Sequence, residues 1–224
     1  MSIVLFDNHQ RNHLYPLSLT SALADTRLGI FTFKERWEYI TGEKVYIKTE
    51  AYLQPLYQQI PAGLHIWIDA SLLPDNAVVE SILALHEGEM IADETGLIAC
   101  CMQAKDAEGL LKNKLIAAAK PAMATDVKRL KYPWQIFQWN DEILRKDFEL
   151  LRNKNNQRLL PPHNQYVAEE NIMIEDGATV QFANINAAAG PVYIGKNVQV
   201  MEGACIRGPF AVLENAVIKM GAKI

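Results

Sequence analysis

Cysteine is scarce in this sequence of 224 residues, which has three: Cys100, Cys101 and Cys205. Two are adjacent inside an apolar run and the third lies far along the chain, a spacing that fits neither a zinc site nor a disulfide framework. Small buried thiols are the simplest interpretation of such residues. We therefore expect a protein of the reducing cytoplasm.

An excess of one charge sign is also lacking. The 22 lysines and arginines nearly balance the 26 aspartates and glutamates, for a net charge of -4. No basic field therefore favours binding to nucleic acid or to a membrane surface. No apolar run approaches the ~20 residues that span a bilayer, and the first ten residues lack the pattern of a signal peptide. We expect a soluble protein.

The clearest pattern that is present is a six-residue repeat in residues 194–224. Aliphatic residues recur at every sixth position: Ile194, Val200, Ile206, Val212, Ile218 and Ile224. Small or apolar residues lie four positions further on: Val198, Ala204, Phe210, Ala216 and Ala222. This period does not match the helical 3.6, but it suits short strands joined by turns, three to a triangular coil. We predict a parallel β-helix over residues 167–224, with the aliphatic side chains facing its axis.

Glycine and asparagine residues separate the aliphatic positions of the repeat. We expect Asn197, Gly203 and Gly208 at its corners, where a positive φ is needed. Such coils bury their apolar face only by stacking, which requires about three repeats and an end cap. Because Ile224 is still in phase at the last residue, we expect the chain to be truncated or its last rung to be covered by a partner.

The first part of the chain alternates predicted strands with predicted helices. We predict strands at residues 2–6, 45–47, 64–68, 89–92, 97–102 and 122–127, and helices at 30–41, 50–58, 77–85, 106–118 and 133–151. This alternation is typical of an α/β domain with a largely parallel sheet. A polar, proline-containing stretch follows and resembles a linker. The predicted organisation is an α/β domain (1–155), a linker (156–166) and the β-helix (167–224). Tryptophans at helical spacing, Trp37, Trp134 and Trp139, are predicted to lie in the core.

Ligands of α/β domains usually bind beyond the carboxyl ends of the strands. After the first strand come the candidate binding residues Asp7, Asn8, Arg11, Thr20 and Arg27. We predict that the next helix begins near Gly29, so that its free amides and the Arg27 guanidinium could together bind a phosphate. The alternatives are that Arg27 pairs with Asp25 on the surface and that Arg11 belongs to an exposed polar loop.

Asp69 directly follows the predicted strand 64–68. A carboxylate in this place could bind a divalent cation or a sugar hydroxyl. The alternative is that Asp69 only caps the turn after the strand.

Several short motifs together resemble a known bacterial family. They are Pro16-Leu17-x-x-Thr20, Ala24-Asp25-x-Arg27-x-Gly29-Ile30, Glu35-Arg36-Trp37, Tyr132-Pro133-Trp134 with Asn140, Gly190-Pro191-Val192-Tyr193-Ile194-Gly195 and Ile206-Arg207-Gly208-Pro209. They resemble sugar nucleotidyltransferases described as the alternative form of the bifunctional N-acetylglucosamine-1-phosphate uridylyltransferase and glucosamine-1-phosphate acetyltransferase. The resemblance covers nearly the whole chain. It implies a nucleotidyltransferase-like, Rossmann-type α/β domain followed by a left-handed β-helix, and a trimer.

The resemblance also implies a chemistry. A sugar 1-phosphate oxygen would attack the α-phosphorus of a nucleoside triphosphate, and pyrophosphate would leave. Arg27 would neutralise phosphate charge as the catalytic residue, and Asp69 would hold Mg²⁺. The chain departs from ordinary sugar nucleotidyltransferases because Leu5-Phe6-Asp7-Asn8 has no glycine where they carry a glycine-rich loop.

Two other functions remain open from the sequence. The first domain could bind a sugar nucleotide without catalysis, or could organise the assembly of a hexapeptide-repeat acyltransferase. Acyl transfer by these residues themselves is disfavoured, because no histidine follows His163 and the repeat therefore contains no histidine base.

Overall fold

The computed structural model describes residues 2–94, 96–112, 127–154 and 160–224. They form a mixed α/β structure with two compact units. The first unit contains Met1–Arg27 and Phe31–Phe137, and the second contains Leu28–Ile30 and Gln138–Ile224. The contacts thus place residues 138–154 in the second unit, whereas the sequence prediction counted them in a domain that ends at residue 155.

A five-stranded sheet lies at the centre of the first unit. Its strands are β1 (Ser2–Phe6), β2 (Val45–Lys48), β3 (Leu64–Asp69), β4 (Met90–Asp93) and β5 (Gly96–Gln103), in the order β2-β1-β3-β5-β4. β1 pairs in parallel with β2 and β3, but β5 is antiparallel to both β3 and β4. Strands β1, β2, β3 and β4 all run in the same direction, so the predicted largely parallel sheet is wrong only for β5, and the second antiparallel pairing is between β4 and β5. Only residues 94 and 95 separate these two strands, and so short a link joins antiparallel neighbours.

The central strands are buried on both faces. Four of the five residues of β1 and five of the six residues of β3 are buried. Strands of this kind have continuous apolar sequences, which is why their positions were predicted correctly. On one face of the sheet, Trp67 packs with Val4, Phe6 and Cys100.

Three α-helices are described: α1 (Phe33–Thr41), α2 (Asn76–Leu83) and α3 (Trp134–Lys154). None of the helices in the described residues combines the length and apolar character needed to cross a membrane. Two-residue strands lie at Arg27–Leu28 and Phe31–Thr32.

Helix α1 begins later than predicted. Gly29 has a left-handed φ of 75° and residues 31–32 are extended, so the helix starts at Phe33. Its first turn is closed by a capping box, in which the Thr32 side chain accepts from the Glu35 amide and the Glu35 side chain accepts from the Thr32 amide. The helix ends, as predicted, at Gly42, which has a φ of 71°.

Two other predicted helices are replaced by 3-10 turns. The predicted helix 50–58 is reduced to Gln54–Leu56, because Pro55 has no amide hydrogen to donate within a longer helix. The predicted helix 106–118 is a 3-10 helix at Ala104–Lys112. The remainder of that prediction, the predicted strand up to residue 126 and linker residues 156–159 lie outside the described residues. Further 3-10 turns lie at His9–Leu14, Leu17–Leu19, Leu23–Asp25 and Glu169–Asn171.

One of the three predicted core tryptophans is on the surface. Trp37 is fully buried, but Trp134 is 56% exposed. Trp134 is the first residue of α3, and its ring stacks on that of Tyr132 with centroids 4.5 Å apart. The helical spacing of the tryptophans did not reveal this, because the pattern does not say where the apolar face of a helix starts.

Nine short strands form three parallel sheets in the described part of the second unit. They are β6 (Gln165–Val167), β7 (Ile172–Ile174), β8 (Thr179–Val180), β9 (Asn184–Asn186), β10 (Val192–Ile194), β11 (Gln199–Val200), β12 (Cys205–Arg207), β13 (Phe210–Val212) and β14 (Val217–Ile218). The sheet orders are β6-β9-β12, β7-β10-β13 and β8-β11-β14. β6 begins inside the predicted linker, because the first strands of this unit do not follow the six-residue spacing that marks the later ones.

The six-residue repeat accounts for most of the core of this unit. Val180, Val200 and Ile218 lie side by side in one sheet, and all three are buried. Ile224 stays in register with the buried Ile206, since Lys223 pairs in parallel with Cys205, but its side chain is 51% exposed. Within the described residues no further strand stacks on the last rung, and the Ile224 side chain therefore stays uncovered.

Candidate functional site

Three neighbouring strands deliver buried polar residues to the carboxyl edge of the sheet. Asp7 follows β1, Thr49 follows β2, and Asp69 is the last residue of β3; each is at most 1% exposed. The Asp7 amide donates to the Lys48 carbonyl at 2.9 Å, which holds the ends of β1 and β2 together. A polar cluster of this kind in an apolar core requires internal partners.

Asp7 has partners on both carboxylate oxygens. Oδ1 accepts from the Leu23 amide at 3.0 Å, and Oδ2 accepts from the Thr49 hydroxyl at 2.6 Å. The Arg11 Nε lies 3.1 Å from Oδ2 as an ion pair, without the geometry of a hydrogen bond. Asp7 therefore joins β2 to the segment that follows β1.

Arg11 lies inside the protein, with 2% exposure. Its guanidinium donates to the carbonyls of Ser18 and Ser21 and to the Tyr52 hydroxyl. The Ser18 hydroxyl donates back to the Arg11 carbonyl at 2.7 Å. Because one guanidinium satisfies several loop carbonyls, Arg11 organises the long segment after β1.

Asp69 accepts hydrogen bonds on both oxygens. Oδ1 accepts from the amide and the hydroxyl of Ser71 at 2.9 and 2.8 Å. Oδ2 accepts from the Asn8 side-chain amide at 2.7 Å and lies 3.5 Å from the Arg129 guanidinium. Arg129, itself 3% exposed, also donates to Asp93 at 2.9 Å.

A cation does not fit at Asp69 in this arrangement. Mg²⁺ needs oxygen ligands with free lone pairs, but the Asp69 oxygens face N–H and O–H donors and a guanidinium. Within residues 2–94, 96–112, 127–154 and 160–224, no three His, Cys, Asp or Glu side chains form a group that could hold a metal ion. Mg²⁺ at Asp69 therefore stays a prediction, and its binding would require these donors to move away from the carboxylate.

Burial sets the protonation behaviour of both aspartates. It raises the pKa of Asp7 to about 6, although the hydrogen bonds from Thr49 and Leu23 and the charge of Arg11 each lower it. Burial likewise raises the pKa of Asp69, against the lowering effects of Arg129, Ser71 and Asn8. Each carboxyl group therefore stays protonated to a higher pH than an exposed one.

Asp7 is expected to make the stability of the protein depend on pH. Its pKa is higher in the folded chain, about 6, than the ordinary 3.8. As the pH rises through this window, the unfolded chain releases its proton first, so the free energy of unfolding falls. From about pH 4.5 to about pH 7, we expect this group to lower it by about 2 kcal/mol.

Urea unfolding of the wild type and of Asp7→Asn over this pH range measures the effect. The neutral amide does not titrate, so the wild type should lose stability relative to the variant as the pH rises. Asp141→Asn is the control, because its carboxylate is 60% exposed, and it should follow the wild type. Parallel pH profiles of the wild type and Asp7→Asn would contradict the prediction.

The structure brings four predicted residues together and leaves two apart from them. Asp7, Asn8, Arg11 and Asp69 are linked as described above, but Thr20 is exposed. Arg27 is also exposed and pairs with Glu35 at 3.0 Å. Its expected alternative partner, Asp25, instead accepts from the Tyr57 hydroxyl at 2.6 Å.

The predicted phosphate site at the start of α1 differs from the observed geometry. Arg27 does lie beside the first turn of this helix, but Thr32 and Glu35 already satisfy amides there. A phosphate at this place would have to displace the Arg27–Glu35 pair. Arg27 as a catalytic residue therefore stays a prediction.

Sequence reasoning missed Thr49 and Arg129. Thr49 could have been found from its place just beyond the predicted strand 45–47, which in the structure extends to Lys48. Arg129 has no such signal, because it reaches Asp69 through an isolated β-bridge between Leu72 and its own backbone. Only the tertiary structure shows this pairing.

A groove of about 500 Å³ opens at the end of β2. Its described lining includes Lys48, Gln54, Tyr57, Gln59, Ile60 and the buried Trp67. A volume of about 500 Å³ lies within the range of small-molecule sites in proteins. The groove lies on the sheet face of Trp67, and its side wall is formed by the segment after β2.

Comparison with known proteins identifies the family of the chain. A family model described as sugar nucleotidyl transferase matches residues 3–156, which is more than half of the chain and includes the five-stranded sheet except for Ser2. No curated protein matches the chain. The chain therefore belongs to the sugar nucleotidyl transferase family.

Proposed function

We propose that the chain transfers a nucleoside monophosphate from a nucleoside triphosphate to a hexose or N-acetylhexosamine 1-phosphate. The observation that carries the proposal is the match of residues 3–156 to the sugar nucleotidyl transferase family. The buried cluster of Asp7, Thr49 and Asp69 supports it, because it orders the strand ends beyond which ligands of α/β sheets usually bind.

In the proposed reaction, one bond to the α-phosphorus forms and another bond to it breaks. An oxygen of the sugar phosphate forms a bond to this phosphorus, and the bond to the β-phosphate oxygen breaks, so that pyrophosphate leaves with the electron pair. Alignment and neutralisation of charge are what such a transfer mainly requires of a protein. Arg27 is the proposed source of positive charge.

A screen for pyrophosphate release tests the proposed function. The full chain is incubated with each of the four common nucleoside triphosphates and with glucose, glucosamine or N-acetylglucosamine 1-phosphate, with and without Mg²⁺. Release that requires both substrates, together with a sugar nucleotide product, is the expected result. Absence of release for every pair would overturn the proposed catalysis.

Arg27→Ala is expected to lower turnover by about 10²-fold, the usual loss when one oriented electrostatic contact to the transition state is removed. The matched control is Lys34→Ala. Lys34 is a partly exposed cation on α1 that pairs with Glu38 at 2.9 Å, and its loss should leave turnover unchanged. Equal turnover of wild type and Arg27→Ala would remove Arg27 from the site.

A second candidate function is binding of a sugar nucleotide without catalysis. The observation that favours it is that Asp7, Arg11 and Asp69 use their polar atoms on one another and on neighbouring residues. Thermal stabilisation by sugar nucleotides, with no pyrophosphate release from any substrate pair, would distinguish this function from transfer.

The resemblance to the alternative bacterial form of the uridylyltransferase and acetyltransferase supports finer proposals. We infer that the second unit is a left-handed parallel β-helix of hexapeptide repeats and that three copies associate through it, as part of a hexapeptide-repeat acyltransferase assembly. Three parallel sheets with stacked aliphatic positions support this architecture. Sedimentation equilibrium should give three times the chain mass of 25.2 kDa, and a monomer would overturn the association.

We also propose that the protein works in the cytoplasm. All three cysteines are free thiols, and Cys205 is exposed, as suits a reducing compartment. Recovery of the protein outside the cytoplasmic fraction of its cells would contradict this.

A further inference from the structure

The groove at the end of β2 has an apolar floor and a side wall with polar groups. Ile60 and Ala104, which are partly buried against the cluster that contains Trp67, provide apolar surface, and Lys48, Gln54, Tyr57 and Gln59 provide polar atoms. Lys48 is the one charged residue in its described lining. A site with this lining favours a small molecule that has an apolar ring face and a negative charge.

Two of the four polar side chains have internal partners. The Gln54 amide donates to the Ile47 carbonyl at 3.0 Å, and its oxygen accepts from the Thr49 amide at 3.0 Å. The Tyr57 hydroxyl accepts from the Ala22 amide at 2.8 Å and donates to Asp25. Both side chains are therefore held in place and shape the wall of the groove.

The other two polar side chains remain available to a ligand. Within the part of the chain that the structure describes, neither the Lys48 ammonium nor the Gln59 amide has a hydrogen bond or ion pair. Lys48 is half-buried, so its charge is less screened than that of an exposed lysine. An anionic group in the groove would meet this charge directly.

The groove is joined to the buried cluster through the backbone of β2. The carbonyl of Lys48 accepts from the Asp7 amide, and the next residue, Thr49, donates to the Asp7 carboxylate. The Tyr57 hydroxyl binds the Ala22 amide next to Leu23, whose amide binds Asp7. The groove therefore lies at the strand ends beyond which ligands of α/β sheets usually bind.

We propose that this groove binds a phosphorylated small molecule, with the phosphate at Lys48 and a sugar or base ring over Ile60 and Ala104. The identification of the ligand as a substrate rests on the proposed function. Two sources share this chemistry, a sugar 1-phosphate and a nucleotide. A volume of about 500 Å³ accommodates either.

Isothermal titration calorimetry on the full chain tests the proposal. The probes are N-acetylglucosamine 1-phosphate, glucose 1-phosphate, uridine and adenosine triphosphates, and unphosphorylated N-acetylglucosamine. Lys48→Met removes the charge, and Ala51→Trp fills the groove from its rim without changing a charge. Lys44→Met is the matched control, because Lys44 is an exposed lysine that directly precedes the amino end of β2, whereas Lys48 lies at its carboxyl end.

We expect at least one phosphorylated probe to bind the wild type and the unphosphorylated sugar to bind at least tenfold more weakly. Lys48→Met and Ala51→Trp should each raise the dissociation constant at least tenfold, and Lys44→Met should leave it unchanged. Binding of the sugar phosphates alone assigns the groove to the acceptor, and binding of the triphosphates alone assigns it to the donor. Thermal midpoints close to that of the wild type show that the variants are folded.

Two results would overturn the proposal: no phosphorylated probe binds, or binding is unchanged in both Lys48→Met and Ala51→Trp. Pyrophosphate release by the wild type is measured separately. If the wild type releases pyrophosphate but ligand binding is unchanged in the groove variants, only the proposal for the groove is contradicted. If ligand binding depends on Lys48 but no pyrophosphate is released, only the proposed transfer function is contradicted.

Discussion

Replacement of Arg11 by methionine is expected to lower the free energy of unfolding by about 3–5 kcal/mol at pH 8, where Asp7, with a pKa of about 6, is ionised in the wild type. The variant leaves the Asp7 carboxylate buried without its counter-charge, and it leaves the carbonyls of Ser18 and Ser21 without their donor. Methionine preserves most of the side-chain length, so the loss reports the charge and the hydrogen bonds rather than a large cavity. Far-ultraviolet circular dichroism during urea unfolding measures it.

Arg27→Met is the matched control for this experiment. The Arg27–Glu35 pair is on the surface, with side chains 38% and 46% exposed, and exposed pairs contribute about 0–1 kcal/mol. The double variant Asp7→Asn/Arg11→Met should recover part of the loss, because no unpaired charge then remains buried. A loss at Arg11 no larger than that at Arg27 would contradict the organising role assigned to Arg11.

Substitution of Gly208 by alanine is expected to destabilise the second unit by about 3 kcal/mol or more. A Cβ at this position would overlap the Gly190 carbonyl oxygen and lie 2.7 Å from the carbonyl carbon. Both atoms belong to the backbone of the neighbouring rung, so they cannot move aside as a flexible side chain can. The Gly208 amide also donates to the Asn186 carbonyl at 2.9 Å, and displacement of Gly208 would weaken this bond.

Gly221→Ala separates this steric effect from backbone strain. Gly221 has a φ of 70°, but a Cβ added there would have no described atom within 4 Å. Its substitution should therefore cost only about 1–2 kcal/mol, the penalty of a left-handed conformation. Urea unfolding of both variants provides the comparison. Equal losses would show that close approach of the rungs is not the reason for glycine at position 208.

Much of the first unit could be predicted from the sequence. Strands β1 and β3 were located because strands buried on both faces have continuous apolar sequences. Asp7 and Asp69 were identified as candidates because each follows such a strand. The position of a residue along the chain is enough for an inference of this kind.

The environment of these residues could not be predicted in the same way. Arg11 lies in a polar segment that suggested exposure, yet it is buried against Asp7 and near Tyr52, which is 41 residues away. The start of α1 was misplaced because the apolar periodicity continues through Ile30, while a positive φ at Gly29 and the capping box at Thr32 delay the helix.

The sequence by itself determined where the apolar strands lie, which polar residues follow them, and that aliphatic residues recur every six positions from Ile194 onward. These are properties of neighbouring residues, and local periodicity records them. Only the tertiary structure decided that Asp7 and Asp69 are enclosed by donors, that Arg129 reaches Asp69, and that Lys48 faces an open groove. Such contacts join residues distant along the chain, and whether a charge is buried or available to a ligand depends on them.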